Sequence, residues 1–355
     1  MVSRIGRRGK TEVLVMQAVV IGKPGSGVDA WTRVERARPE PGPGQVLVRM
    51  RAASLNYRDL MIARGLYGGP VKEQLVVLSD GAGEIAAVGE GVTTLRVGER
   101  VTSAYYPTWR DGPYRAEHES SSLGIGHRDG VLAQHVVLPA SGVVKMPASL
   151  SFEQAATLPC AAVTAWQALF EGAARLLPGE RVLVQGTGGV SLFAAQLALA
   201  SGAHVIATSS SEAKLDRLAA LGVRDRVHTG ARPEWHEEVL RITGGEGVDH
   251  VLDVGGAATL SRSLQAVRVG GHVAVLGLLG GMGQAIDPLP ILFRSVTVEG
   301  MHVGSVSMHE RLARAVDRLA IQPVVDEVLD LDDAPRALAK LAAGTHFGKI
   351  VIRVP

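Results

Sequence analysis

Six consecutive residues, Gly186-Thr187-Gly188-Gly189-Val190-Ser191, follow directly on the apolar run 182–185 and open a stretch with helical periodicity. Glycines at such a place permit a tight turn and let backbone amides approach a pyrophosphate, whose charge is favoured by the free N–H groups and the dipole of a helix start. In the G-x-G-x-x-G register the third glycine is replaced by Ser191, and an ordinary strand-to-helix turn carries the same pattern. The next apolar run, 204–208, adds context: it ends in Ser209-Ser210-Ser211, with Lys214 one turn further on. A dinucleotide with free ribose hydroxyls is usually met there by a carboxylate, whereas an additional 2′-phosphate calls for hydroxyl donors and a cation. No carboxylate stands at Thr208 or Ser209, so the pattern predicts NADP(H) rather than NAD(H). One of the serines is also expected to cap the following helix.

The chain that must position these residues is 355 long, 46% hydrophobic and 20% charged, enough for two domains that each bury a core. With 37 basic and 35 acidic side chains the formal charge is only +2, which gives no whole-molecule field toward nucleic acid or membrane and leaves a small molecule as the expected partner. A single cysteine, Cys160, excludes an internal disulfide and any multi-thiolate zinc lobe. No run approaches the roughly 18 apolar residues of a membrane span, so a soluble, cytoplasmic protein is expected. Residues 1–15 carry Arg4, Arg7, Arg8 and Lys10 without the apolar core or cleavage site of a secretory signal. They read as a flexible tail, or as an upstream extension of a chain that starts at Met16.

From Gln17 to about Ala140 short β-rich runs such as 45–50, 83–88 and 133–138 are separated by Gly and Pro. From Arg181 the texture changes to apolar strands at 182–185, 204–208, 248–253 and 272–276, alternating with amphipathic helices that start near Val190, Ser211 and Ala257. That alternation predicts a parallel, doubly wound sheet. The longest unpatterned stretch, 105–130, reads as a functional or mobile loop.

Several further motifs are specific in combination: Ala53-Ser54-Leu55-Asn56-Tyr57-Arg58-Asp59, Gly81-Ala82-Gly83-Glu84, Val88-Gly89-Glu90-Gly91-Val92, Gly98-Glu99-Arg100-Val101, Leu158-Pro159-Cys160, Thr164-Ala165-Trp166 and Phe347-Gly348-Lys349-Ile350-Val351. With them the chain resembles the medium-chain dehydrogenase/reductase superfamily from Met16 to Pro355, in its zinc-free, quinone-oxidoreductase-like branch. The resemblance implies an α/β architecture: a GroES-like β-rich catalytic domain from residues 16–155 and 305–355, with a Rossmann dinucleotide-binding domain, 156–304, inserted. It implies that Thr164, Phe347, Gly348 and Lys349 lie against the cofactor. Asp253, Val254, Gly255 and Gly256, with Leu276, Gly277 and Leu278, are implied to line its adenosine and ribose side. It also implies a homodimer through the strand around residues 295–302, which would otherwise leave an apolar sheet edge uncovered.

Zinc-using members of the superfamily hold their metal with a Cys, a His and a later Cys or Asp, often with a Glu beside the His. The matching positions carry Asn56, Ser79 and Cys160, with Asp80 in place of the Glu. Catalytic zinc needs about three protein ligands, so no zinc is expected. Cys160 reads as a small buried residue near the cofactor, and His118, His127 and His135 as solvated loop side chains. Without a Lewis acid, reduction of an activated carbonyl, enone or quinone asks less than oxidation of a simple alcohol, because one donor at the developing oxyanion suffices. Candidate donors are Asn56, Tyr57, Arg58 and Tyr67. Tyr67 matches the proton-donating tyrosine of the related enoyl-thioester reductases, but a phenol packed in the core is the other reading. Arg58, which replaces the proton-relay Ser or Thr of the zinc enzymes, could instead pair with Asp59 or Asp80. The expected function is a zinc-independent, NADP(H)-dependent oxidoreductase, the alternative a non-catalytic NADPH-binding structural or sensor protein.

Overall fold

In the computed structural model, which describes residues 14–355 apart from Gly68, Met282 and Gln284, the chain opens with an antiparallel pair, β1 (Val15–Ile21) and β2 (Trp31–Ala37). Part of the expected tail already belongs to it: Val15 stands opposite Ala37, and the Leu14 carbonyl accepts from the Arg38 amide. The rest of that tail, residues 1–13, lies outside the described residues.

A mostly antiparallel sheet follows, from β3 (Gln45–Ser54), β4 (Asp80–Val88), β5 (Arg100–Ser103), β6 (His135–Pro139) and β7 (Val143–Lys145). β3 is an interior strand, with β4 on one edge and β6 and the chain's last strand on the other, and it is buried along most of its length rather than alternately, so both of its faces are covered. Six parallel strands come next: β8 (Arg181–Gln185), β9 (His204–Ser209), β10 (Asp225–His228), β11 (Val248–Asp253), β12 (Val267–Val275) and β13 (Thr297–Gly300). Their order is β10-β9-β8-β11-β12-β13, with helices Gly189–Ala200, Glu212–Ala220, Trp235–Ile242 and Leu260–Ala266 in the crossovers. The order reverses between β8 and β11, and ligands of such sheets bind at the carboxyl ends of the strands beside that point.

The last two strands, β14 (Val325–Asp330) and β15 (Lys349–Arg353), return to the first sheet, whose order becomes β14-β15-β3-β4-β5-β7, with β6 on β3. The molecule is therefore an α/β protein in which a GroES-like β-rich unit is completed by the C-terminus and a Rossmann-like parallel sheet is inserted, as expected. Two expectations need adjustment. β12 begins at Val267 rather than near residue 272, because Val267 already pairs with Val248 across a register shift. The stretch 105–130 begins as core rather than loop: Tyr105, Tyr106 and Trp109 are buried, with Tyr105 and Tyr106 edge-on at 4.6 Å and Trp109 and Tyr114 at 5.1 Å. Among the described residues no helix is long and apolar enough to cross a membrane.

Candidate active site

The glycine turn leaves β8 exactly where the strand order reverses. Gly186 has φ +74°, which only glycine adopts without strain, and its amide donates to the Thr208 carbonyl at 2.9 Å. Ser191, in place of the third glycine, donates its hydroxyl to the Gln185 carbonyl at 2.6 Å and so closes the turn by another route. Gly188 is different. Its φ of −78° is ordinary and a Cβ built on it meets nothing within 4 Å, so neither backbone strain nor the protein's own packing calls for glycine. What the missing side chain leaves is open space before a helix N-terminus of twelve residues, which fits a diphosphate in contact with the backbone. Thr187 and Val190 flank that opening, and Gly348 donates its amide to the Thr187 carbonyl at 2.9 Å, which brings the C-terminal segment to the turn.

At the end of β9, Ser209 is buried and its hydroxyl accepts from the Ser211 amide at 3.2 Å, while Ser210 is exposed. Ser211 occupies the N-cap position of Glu212–Ala220 but makes no side-chain cap bond, so its hydroxyl is not committed to the helix as expected. The Lys214 ammonium donates to the Gly344 carbonyl at 2.9 Å, and burial holds its pKa below the usual lysine value. Next to it Arg217 lies 4.0 Å over the ring of Phe347, which is buried rather than open to a ligand. The expected ribose-side residues sort in two. Asp253 is wholly buried, and its carboxylate accepts from the Gly255 and Gly256 amides at 3.0 and 2.8 Å, from Thr259 at 2.7 Å and from Ser263 at 2.6 Å. It shapes the loop, and the half-buried backbone of Val254, Leu276 and Gly277 is what remains to face a ligand.

The third group gathers where the two sheets meet. Helix Tyr57–Ala63 starts there because the Asp59 carboxylate accepts from the Asn56 amide at 2.7 Å, the acidic first-turn arrangement that satisfies a free helix donor. Burial raises the Asp59 pKa to about 6, against the opposing pull of the Arg58 cation. Asp80 is wholly buried and accepts from the Ser79 hydroxyl at 2.6 Å and the Cys160 amide at 2.9 Å. Into this nest runs Lys349, only 4% exposed, whose ammonium donates to Asn56 Oδ1 at 2.5 Å and to the Leu55 carbonyl. Lys349, expected against the cofactor, runs along the glycine turn at Gly189 and ends on Asn56. Asn56 Nδ2 lies toward Asp80, whose charge it favours, yet it closes no hydrogen bond of full geometry.

This donor set does not fit zinc. Both Asp80 oxygens have partners, and the ammonium nearby repels a dication. The Cys160 thiol is pushed well above its ordinary pKa by burial and by Asp80, which disfavours both a thiolate ligand and a nucleophile. Among the described residues no group of three His, Cys, Asp or Glu is placed to hold a metal. Thr164 donates to the Cys160 carbonyl at 2.7 Å, so its hydroxyl is tied to its own helical segment.

Arg58 pairs with neither Asp59 nor Asp80. It is buried between two tyrosines, 4.6 Å from the Tyr105 ring and 5.8 Å from that of Tyr67, and donates Nη1 to the Leu123 carbonyl at 3.1 Å. Its Nε and Nη2 have no hydrogen-bond partner among the described residues. Tyr67 is 43% exposed, which removes the packed-phenol reading, and Tyr57 is exposed at the helix start. Sequence reasoning missed the aromatic wall beside them, where Tyr114 of the 105–130 stretch stacks on His302 at 3.9 Å and His118 lies parallel to Trp109 at 5.7 Å rather than in solvent. One signal was there to use: four of the chain's five tyrosines, Tyr67, Tyr105, Tyr106 and Tyr114, meet around this place. A surface groove of about 720 Å³ beside β7, lined by Arg110, Lys145 and Arg314 among others, does not reach this cluster.

Comparison with known proteins agrees with these features. Residues 42–148 match the family model of the alcohol dehydrogenase GroES-like domain, and residues 189–320 that of zinc-binding dehydrogenases. A zinc-type alcohol dehydrogenase-like protein of Schizosaccharomyces pombe is 41% identical over 335 residues, 93% of this chain and 96% of its own. A Sinorhizobium meliloti 1021 protein assigned as an alcohol dehydrogenase superposes with a TM-score of 0.88 at 42% identity, over 96% of this chain and 99% of its own. A structure described as an NAD-dependent alcohol dehydrogenase has a TM-score of 0.87 at 35% identity, over 96% of this chain and all of its own.

Proposed function

Since this chain belongs to the medium-chain dehydrogenase/reductase superfamily and is an alcohol dehydrogenase-like oxidoreductase, we propose that it moves hydride between NADP(H) and a carbonyl, enone or quinone without zinc. The observation that carries the reading is the buried Lys349 ammonium bonded to Asn56 where the zinc ligands of relatives would converge. When bound, the dinucleotide supplies or accepts the hydride. The backbone of residues 186–190 would hold its diphosphate, and the serines after β9 with Lys214 its 2′-phosphate. Asn56 and Tyr67 are the donors available to an acceptor oxygen as negative charge develops on it, and Tyr67 is the one exposed enough to exchange a proton with water. A near-neutral chain gives nucleic acid no purchase, and the single cysteine accords with a cytoplasmic setting.

The deciding assay is NADPH oxidation with a panel of quinones, enones and reactive aldehydes. Turnover of at least one is expected, and cofactor binding with none turned over would favour a structural or sensing role. Metal analysis of the purified protein should find no stoichiometric zinc, and chelators should leave NADPH oxidation intact. Near one zinc per chain would overturn the ligand argument.

A homodimer belongs to the same reading. β13 is the edge strand of the parallel sheet, Val298 on it is 37% exposed, and Leu292 and Phe293 just before it are 70% and 77% exposed. An apolar sheet edge of this kind invites a second copy of itself. Sedimentation at micromolar concentration is expected to give twice the chain mass, and Phe293→Asp to shift it toward one. A wild-type protein that stays monomeric refutes the dimer.

A further inference from the structure

A lysine with its charge 96% withdrawn from solvent needs a reason, since burial of an ammonium is unfavourable unless it is well bonded. The path of Lys349 is enforced from several sides. Gly348 has φ +92°, and a Cβ there would sit 2.3 Å from the Val324 carbonyl oxygen, so the chain enters β15 in one way only. A Cβ on Gly189, the first residue of the helix after the glycine turn, would lie 2.4 Å from Lys349 Cδ. The stem therefore passes through the gap that Gly189 leaves. At its end the ammonium has two acceptors, Asn56 Oδ1 and the Leu55 carbonyl, with the buried Asp80 and Asp59 carboxylates nearby to balance the charge.

We propose that Lys349 is the positioning residue of the reaction centre, a fixed cation that decides which way the Asn56 amide faces. An ammonium has only donors, so it can hold only the oxygen of that amide. Nδ2 is thereby turned to the side of the buried Asp80 carboxylate, where it closes no full hydrogen bond, and of its two N–H groups one is left over. In a free asparagine the two ends exchange at little energy, and half of the orientations would offer an acceptor to a developing oxyanion. With Lys349 on the oxygen and Asp80 beside the nitrogen, the N–H that Asp80 does not take is a donor fixed before the acceptor substrate arrives, which is the preorganisation that oxyanion stabilisation requires. Because the lysine stem lies on the first residue of the cofactor helix, the orientation also depends on the turn that holds the dinucleotide. The inference rests on the reading that Asn56 serves the acceptor oxygen.

The test is a double-mutant cycle on the full-length protein, with NADPH and the best acceptor of the panel. Lys349→Met and Asn56→Ala are each expected to lower kcat about 10²-fold, with KM for the acceptor and the NADPH dissociation constant within about threefold of wild type. The double variant should be no slower than the slower single variant, because the two residues act as one unit. A double variant that loses about 10⁴-fold shows independent roles and overturns the proposal. So does a Lys349→Met protein with normal kcat and a dissociation constant for NADPH raised more than tenfold, which would make the lysine a phosphate ligand. If Lys349→Met does not fold, Lys349→Gln keeps a polar stem but can present an oxygen as readily as a nitrogen to Asn56, and the same kcat loss is expected of it with the NADPH dissociation constant unchanged; normal kcat refutes the proposal. Should wild-type protein turn over no acceptor, the proposed reaction fails on its own account, and the four proteins still report on the lysine: their urea unfolding midpoints must be non-additive, and additive shifts overturn the pairing.

Discussion

Tyr67→Phe is expected to lower turnover by about 10²- to 10⁴-fold while NADPH affinity hardly changes, the loss typical of a removed acid or oxyanion donor. The phenol is 43% exposed at the mouth of the site and its ring lies over a buried cation, Arg58, 5.8 Å from the guanidinium carbon. The Nε and Nη2 of Arg58 find no partner among the described residues, and a buried cation beside the phenol favours negative charge as it develops on an acceptor oxygen there. If the hydroxyl only stabilised the loop, its removal would lower stability by about 1 kcal/mol and leave the rate nearly intact. Steady-state kinetics of the two proteins with one good acceptor separates the outcomes. A phenylalanine variant of near-normal rate, beside an Asn56→Ala variant that is slow, moves the donor role to Asn56.

The second large effect concerns the cofactor. Lys214→Ala is expected to weaken NADPH by about 10- to 150-fold, the equivalent of a charge-assisted bond of about 1.5 to 3 kcal/mol, and to leave NADH nearly unchanged. The ammonium now rests on a single backbone carbonyl, Gly344, and a phosphate is a far stronger partner. Ser209, Ser210 and Ser211 would complete the phosphate site, with no carboxylate at positions 208–211 and with the charge of Asp326 acting on Lys214. Fluorescence titration of both cofactors against both proteins decides, and equal midpoints for NADPH and NADH in the wild-type protein sink the assignment.

How much of this was legible in the sequence follows from the range of the forces involved. The alternation of strands and helices after Arg181 is set by local periodicity, and the parallel sheet with its glycine turn stands where that pattern puts it. The β-rich half was legible as short strands, and its closure by the last strand only through resemblance, because a pairing between residues 54 and 351 leaves no local trace. The 105–130 stretch was misread for a related reason: its order comes from aromatic rings packed face and edge, which have no period. Lys349 shows the limit most plainly. Its place in the Phe347-Gly348-Lys349 motif brought it to the cofactor turn, but where a long side chain ends depends on what its neighbours lack, here a Cβ on Gly189. Asp253 is the reverse case, a carboxylate at a strand end that suggests a ligand and turns out to hold its own loop.

The place of β15 also sets an order of events during synthesis. The parallel sheet is continuous in sequence, from residue 181 to 300, and can close as soon as it emerges from the ribosome. The first sheet cannot, because β15 belongs inside it, between β14 and β3, and Val351 is the partner of Ser54. At about 5 to 20 residues per second, translation leaves β3 waiting roughly 15 to 60 s for that partner. During the wait residues 52–54 of β3, the part of that edge that β6 does not cover, remain open to another strand. The half made first is thus the half finished last, and Lys349, which opens β15, reaches Asn56 only as that sheet is sealed.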